Sequence, residues 1–386
     1  MKTNHRHSRN PGSHHFFPLG ACVLAIAISI FSGCAALPFL DFPQKKAAAF
    51  KPDIQIPYQD FSGIIHVHTS YSQNSTGSFE EVARAAQKTN LDFVIVTDHN
   101  TLGGLRDNKE GFYDKTLILV GSELTSPGGH IAVMDINKEV AMDQAHKAIV
   151  KEVQAAGAIS FICHPNLERQ PWRDWSLVSA MTGMEIYNLP TAAYEDGTVK
   201  LGLKTLFFPP RLFFRSFLKR PDDVLARWDE VLRERRFVGI AGVDAHEKYR
   251  IFGAPLDSYT SMFKVAQTHV WAHELSKKDV YEAIRSGHVY VGFDLVKPVR
   301  NFLFMAETSD EQAIMGDMIK YRDNLKLRVF LPEEAEIHIL KDGELWKAAN
   351  GKALDALPDG PGVYRVEIYL NKKLWILSNP IYVVKW

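Results

Sequence analysis

His66 and His68 form a His-x-His pair, and Asp98 and His99 are adjacent. Glu123, His130 and His164 stand singly, and Asp244 and His246 form an Asp-x-His pair. Neutral imidazoles with carboxylates suit Zn, Mn or Fe, and no thiolate is needed. A His-x-His pair at a strand end sends both rings the same way, as chelation requires. Taken one at a time, a buried histidine is most often hydrogen-bonded core. An aspartate after a strand usually caps a turn or a helix. Together, six histidines and three carboxylates would form a crowded and costly buried cluster if left unpaired. A polynuclear metal site removes that cost, and it is the expectation.

The elements that must position these residues alternate. Phe61–Thr69 is apolar and β-rich, and Leu91–Thr97 is a continuous apolar run, as in a strand buried on both faces. Leu117–Gly121, His130–Met134, Ala158–Cys163, Gly183–Tyr187 and Phe237–Val243 read likewise. Ser78-Phe79-Glu80-Glu81 is a capping box that opens a helix to about Thr89. Further helices are expected near Met142–Ala156, over Asp222–Arg235 and over Ser276–Arg285. Nearly every candidate ligand then falls at the C-terminal end of a strand. Repeated βα units predict an α/β fold with a parallel sheet, closed or distorted into a barrel whose mouth gathers those ends. Beyond Pro298 the pattern changes to short alternating strands at Leu325–Phe330, Glu336–Leu340, Gly362–Tyr369 and Ile381–Val384. Turn signals at Lys341-Asp342-Gly343 and Pro358-Asp359-Gly360 separate them. This part reads as a small all-β sandwich over 298–386, after a barrel over 58–297.

Composition narrows the classes. Of 386 residues, 45 are Lys or Arg and 45 are Asp or Glu, and 46% are hydrophobic. That excludes a disordered chain, a collagen-like fibre and a multi-span membrane protein. A zero formal charge supplies no global field for nucleic acid, so no nucleic-acid partner is expected. Cys22, Cys34 and Cys163 cannot make a disulfide framework. The sequence has no P-loop and no G-x-S-x-G elbow.

His66-Val67-His68, Thr97-Asp98-His99-Asn100, Glu123, Cys163-His164-Pro165 and Asp244-Ala245-His246 resemble the successive motifs of the PHP family of metal-dependent phosphoesterases. The resemblance runs from about Gly63 to Phe293. It implies a distorted (β/α)7 barrel with a site for two or three divalent ions. By resemblance, His66, His68 and Asp244 hold the first metal. Glu123 bridges to a second held by His164, with His130 as its further ligand, and His99 and His246 belong to a third position. Family members commonly carry Asp or His five or six residues after the second motif histidine. Gln73 and Asn74 stand there, which leaves two metals expected and a third open. His99 and His246 could instead meet a leaving group or a phosphate oxygen as proton donors. Asp98 is expected to orient a ligand histidine rather than bind metal.

The reaction this implies is phosphomonoester or phosphodiester hydrolysis of a small anionic substrate by a metal-bridging hydroxide. Arg169, Lys248 and Arg250 lie just beyond motif residues and could bind the phosphate, or be solvated loop charges. Two alternatives stay open. One is a carbamate or ester hydrolase on the same barrel, since PHP-like barrels with a β-rich end resemble a branch that includes such enzymes. The other is a non-catalytic binding module with structural metals.

Two further segments carry expectations. Lys2, Arg6 and Arg9 precede an apolar run, Leu19–Phe31, that is shorter than the ~20 residues of a membrane span. With Ser32, Gly33 and Cys34 it resembles a bacterial lipoprotein signal, although Phe31 stands where Leu is usual. The resemblance implies a signal peptide over 1–33, lipidation of Cys34, a tether over 34–57 and an exported, envelope-bound protein. An uncleaved anchor or a plain signal peptide is the alternative. Lys200–Arg220 contains six basic residues, five phenylalanines and no acid. It is expected to lie on a membrane surface, rim an apolar pocket or pack as a helical cap.

Overall fold

A computed structural model describes residue 47 and residues 50–385, apart from 53, 196, 249, 252, 253 and 256. The expected signal, Cys34 and most of the tether lie outside the described residues. Phe39–Trp386 is one compact unit. It holds every described strand and all three apolar clusters, so it carries its own core. Among the described residues no helix is long and apolar enough to cross a membrane.

The first half supplies β1 (Gln59–Val67), β2 (Phe93–Val96), β3 (Gly111–Tyr113), β4 (Thr116–Val120), β5 (Ser122–Ser126), β6 (Gly129–Met134), β7 (Ile159–Ile162), β8 (Gly183–Asn188) and β9 (Val238–Ala245). Parallel pairing runs in the order β4–β2–β1–β9–β8–β7. Both faces are covered, which explains the unbroken apolar runs. Val94 and Val96 pack in one cluster, while Phe93 and Ile95 pack in another. The covering helices are α1 (Phe79–Lys88), α2 (Gly103–Arg106), α3 (His146–Ala155), α4 (Leu189–Tyr194), α5 (Thr198–Phe207), α6 (Pro210–Arg215) and α7 (Asp222–Leu232). The Ser78–Glu81 capping box is formed in both directions.

The sheet is not wholly parallel, which corrects the expectation. β5 and β6 form an antiparallel hairpin, and β6 is antiparallel to β7. The stretch between Gly121 and His130 is too short for the crossover of about a dozen residues that parallel neighbours need. β5 meets the end of β2 through a bridge between Glu123 and His99.

A two-stranded ribbon, β10 (Arg250–Ile251) and β11 (Ala254–Pro255), and α8 (Tyr259–Met262) lead to β12 (Gln267–Ala272). β12 runs antiparallel to β1. Then come α9 (Lys277–Ser286) and β13 (Val289–Gly292). Ser276 caps α9, and Gly287 ends it at φ +76°, a left-handed conformation that glycine adopts without cost.

The remaining strands are β14 (Leu303–Glu307), β15 (Gln312–Ile314), β16 (Met318–Lys320), β17 (Lys326–Lys341), β18 (Glu344–Ala356), β19 (Gly362–Leu370), β20 (Lys373–Ser378) and β21 (Ile381–Val384). β13 pairs with β20, so hydrogen bonding runs on into this region. The two strands expected at Leu325–Phe330 and Glu336–Leu340 are one strand, β17, irregular between Phe330 and Ala335. Pro332 lies in that break, where a strand proline is tolerated. β18 escaped the sequence reading because it is exposed along most of its length and its apolar residues do not alternate with polar ones. Its hairpin partner is β17, through a turn with Asp342 and Gly343 at φ +53° and +89°.

Candidate metal centre

The ends of β1, β2, β5, β6, β7 and β9 bring the six histidines and three carboxylates together. Local backbone helps to aim them. His66, His164 and Asp244 adopt φ of +71°, +31° and +50°. Such values are uncommon for non-glycine residues and collect at functional sites. At His66 the register of β1 shifts against both β2 and β9, so a bulge turns this ring.

Glu123 is the hub. Its Oε2 lies 3.1 Å from His66 Nε2, 3.2 Å from His68 Nε2 and 3.1 Å from His99 Nδ1. Its Oε1 lies 2.7 Å from His130 Nδ1 and 3.2 Å from His164 Nε2. Asp244 Oδ1 approaches His68 Nε2 at 3.2 Å, His246 Nδ1 at 3.3 Å and His66 Nε2 at 3.5 Å.

Two rings are held from behind. His66 Nδ1 lies 2.5 Å from Glu185 Oε1. Glu185 Oε2 accepts from the His164 backbone N–H at 2.7 Å and from Asn188 Nδ2 at 2.9 Å. Asp98 accepts from the Thr69 N–H, the Thr69 hydroxyl and the Ser72 hydroxyl, each at 2.6 Å. Ser72 Oγ, its proton committed to Asp98, then accepts from His68 Nδ1 at 3.2 Å. Asp98 therefore reaches His68 through Ser72. Both arrangements put a proton on Nδ1 and so leave Nε2 as the atom that could bind a metal, the tautomer a metal ligand needs.

His66 Nε2, His68 Nε2 and Glu123 Oε2 are buried and make no aligned hydrogen bond. Orphaned donor atoms aimed at one place are costly unless a cation joins them. Ligand atoms of His66, His68 and Glu123 lie within 4.8 Å of one another, as do those of His99, Glu123 and His130, and of His68, His99 and His246. Glu123 is shared by the first two groups. The residues present therefore fit divalent metal.

Electrostatics agree. Burial alone would push Glu123 up, but the facing His66 charge and hydrogen bonds from His130 and His164 hold it well below the usual carboxylate range. Asp244 is likewise kept low against burial, by His66 and His68. His66 is raised because Glu123 and Glu185 outweigh its burial. Burial lowers His99 to about 4 and also lowers His246. A buried cluster that keeps its carboxylates ionised selects cations.

Asn74 reaches into this group. Its Nδ2 lies 3.1 Å from His99 Nε2 and 2.9 Å from His246 Nε2. Arg169 is exposed, 5.2 Å over the Tyr194 ring. The Lys248 N–H bonds Asp257 at 3.0 Å, and the Arg250 side chain lies outside the described residues. Cys163 is a buried free thiol.

Sequence reasoning missed Glu185, Ser72 and Asn188. Glu185 did leave a signal, a lone carboxylate inside the apolar run Gly183–Tyr187. Its carboxylate reaches over Gly242 on β9, where a Cβ would stand 1.9 Å from Glu185 Oε1.

The PHP domain family model matches residues 65–238. The match takes in every site residue from His66 to Glu185 and ends before Asp244 and His246. An uncharacterized protein of Methanocaldococcus jannaschii is 23% identical over 147 residues, 35% of this chain and 84% of that protein. Two solved structures are similar in part. A two-domain protein containing a predicted PHP-like metal-dependent phosphoesterase, from Bacteroides vulgatus, has a TM-score of 0.45 at 14% identity, covering 88% of this chain and all of that one. PsfC from Pseudomonas syringae has a TM-score of 0.42 at 13% identity, covering 62% of this chain and 95% of that one.

Proposed function

We propose that this protein is a metal-dependent hydrolase that cleaves a phosphate mono- or diester. The observation that carries the reading is Glu123, a buried and ionised carboxylate shared by two histidine groups, within the residues that the PHP domain family model matches. His66, His68, Glu123 and Asp244 would hold one ion, and Glu123, His130 and His164 a second. His99 and His246 would serve a third position. Bound divalent ions supply Lewis acidity at substrate oxygens and lower the pKa of water. Zn, Mn and Fe all suit this donor set.

The chain's own residues do the positioning. Glu185 and the Asp98–Ser72 pair fix the His66 and His68 tautomers. Asn74 holds His99 and His246 from one side. Arg169, Lys248 and Arg250 are the proposed phosphate contacts.

The finer reading has four parts. The domain is a distorted (β/α)7 barrel over 58–297, followed by a β-sandwich over 298–386. Residues 1–33 are a signal peptide. Cys34 carries a lipid that holds the tether 34–57 and the enzyme at the cell envelope. The substrate is a small anion, and no nucleic acid is bound. The N-terminal support is the basic start, the apolar run Leu19–Phe31 and Ser32-Gly33-Cys34.

The test is turnover of nitrophenyl phosphate and its diester against nitrophenyl acetate and a nitrophenyl carbamate, with metal content measured and restored. Phosphoester turnover that Glu123→Gln abolishes, with the fold retained, is expected. Ester or carbamate turnover alone would move the reading to a carboxylic or carbamic ester hydrolase. No turnover on any of them at full metal loading would favour a binding module.

A further inference from the structure

The helical segment after β8 is divided between two environments. Phe214, Phe217 and Leu218 are buried in the main apolar cluster, with Phe213 packed edge-on against Phe214 and Phe217. Leu203, Phe207, Phe208 and Leu212 face outward, 49%, 71%, 42% and 51% exposed. Only four other large apolar side chains among the described residues are exposed to this degree: Phe112, Met318, Leu345 and Leu357. Scattered apolar residues need no explanation, whereas four within ten positions form a patch that asks for a partner.

Charge decides which partner. No Asp or Glu occurs from Gly197 to Pro221, and Lys200 and Arg211 stand exposed beside the patch. Two copies meeting through this face would set like charges against each other. An apolar interior under an anionic surface satisfies both the aromatics and the cations.

Both ends of the segment meet the site's end of the fold. Asn188 ends β8, caps α4 by accepting from the Thr191 N–H at 3.0 Å, and donates to Glu185. His164, Glu185, Lys219 and Arg220 line one crevice between the centre and the segment.

We propose that the cap formed by α5 and α6 is a docking surface for an anionic lipid bilayer, which it meets through Leu203, Phe207, Phe208 and Leu212. This goes beyond the proposed hydrolysis and does not depend on it. The test uses the compact unit Phe39–Trp386, so that the N-terminal apolar run takes no part. Its co-sedimentation is measured with phosphatidylglycerol–phosphatidylcholine vesicles and with phosphatidylcholine vesicles.

Binding to the anionic vesicles that weakens with salt is expected. The double variant F207S/F208S should lower partitioning by at least about tenfold. The pair K200E/R211E should lower it several-fold on anionic vesicles only. Both variants alter exposed side chains, so the melting curve and metal content should stay as in the parent. No binding to either vesicle would overturn the proposal, as would equal partitioning of parent and variants. A dimer that F207S/F208S splits, without vesicle binding, would overturn it in favour of a second copy of the chain.

Discussion

Glu185 Oε1 stands 2.5 Å from His66 Nδ1, on the far side of the ring from the Nε2 that faces Glu123. A carboxylate behind a ligand histidine fixes its tautomer and raises its basicity. Glu185→Gln should therefore keep the fold and weaken metal binding by about 10–100-fold. Competition against a chelator measures this, and unchanged affinity would remove Glu185 from the metal centre.

The same carboxylate requires a glycine at position 242. A Cβ on residue 242 would lie 1.9 Å from Glu185 Oε1 and 2.2 Å from its Cδ. Gly242→Ala must displace Glu185 or the β9 backbone, at about 1–3 kcal/mol of stability. A lowered melting temperature with weakened metal binding is the expected pair of results. A melting curve and metal affinity like the parent's would show that the strand gives way freely.

Asn74 sits between His99 and His246 and brings an amide where a carboxylate would complete a cation site. Asn74→Asp should add up to one bound divalent ion per chain, through the His68, His99 and His246 group. Metal analysis after gel filtration reads the stoichiometry. Identical metal content in parent and variant would count against a latent third position.

Away from the centre, Glu367 on β19 accepts from two arginines. It accepts from Arg220 at 2.7 and 2.9 Å and from Arg365 at 2.7 Å, while Arg365 also pairs with Asp229 on α7. Burial opposes its charge, but the Arg220 and Arg365 contacts hold its pKa near 2, below the ordinary 4.5. The unfolded state thus binds the proton first as pH falls. The stabilisation is present above about pH 4.5 and is lost on descending towards pH 2, on the order of 3 kcal/mol in all. Glu367→Gln should be less stable at neutral pH and show a flatter decline across that window. Parallel parent and variant curves in denaturant titrations at several pH values would refute this.

Much of the centre could be read from residue types and their places. Each of the nine expected ligand and acid residues falls at or near a strand end, because the apolar runs beside them mark the strands. Other features were out of reach. The β5–β6 hairpin needed the loop length weighed against the crossover requirement. β18 lacks the apolar alternation that marks a strand, since it pairs through backbone and stays exposed along most of its length. Glu185 was passed over because a charge inside an apolar run has meaning only when its partner is known.

The sequence by itself determined the donor chemistry, the order of the elements and the helix caps, all set by local pattern or by residue identity. The tertiary structure decided which donors meet. Glu123 became the hub, Asp98 came to act through Ser72, and Asn74 came to lie between two histidines. It also divided Phe207 and Phe208 from Phe214 and Phe217, one pair outward and one inward. These relations join residues far apart in the chain. They arise from sheet order, a bulge at His66 and left-handed backbone at His164 and Asp244, none of which local sequence pattern encodes.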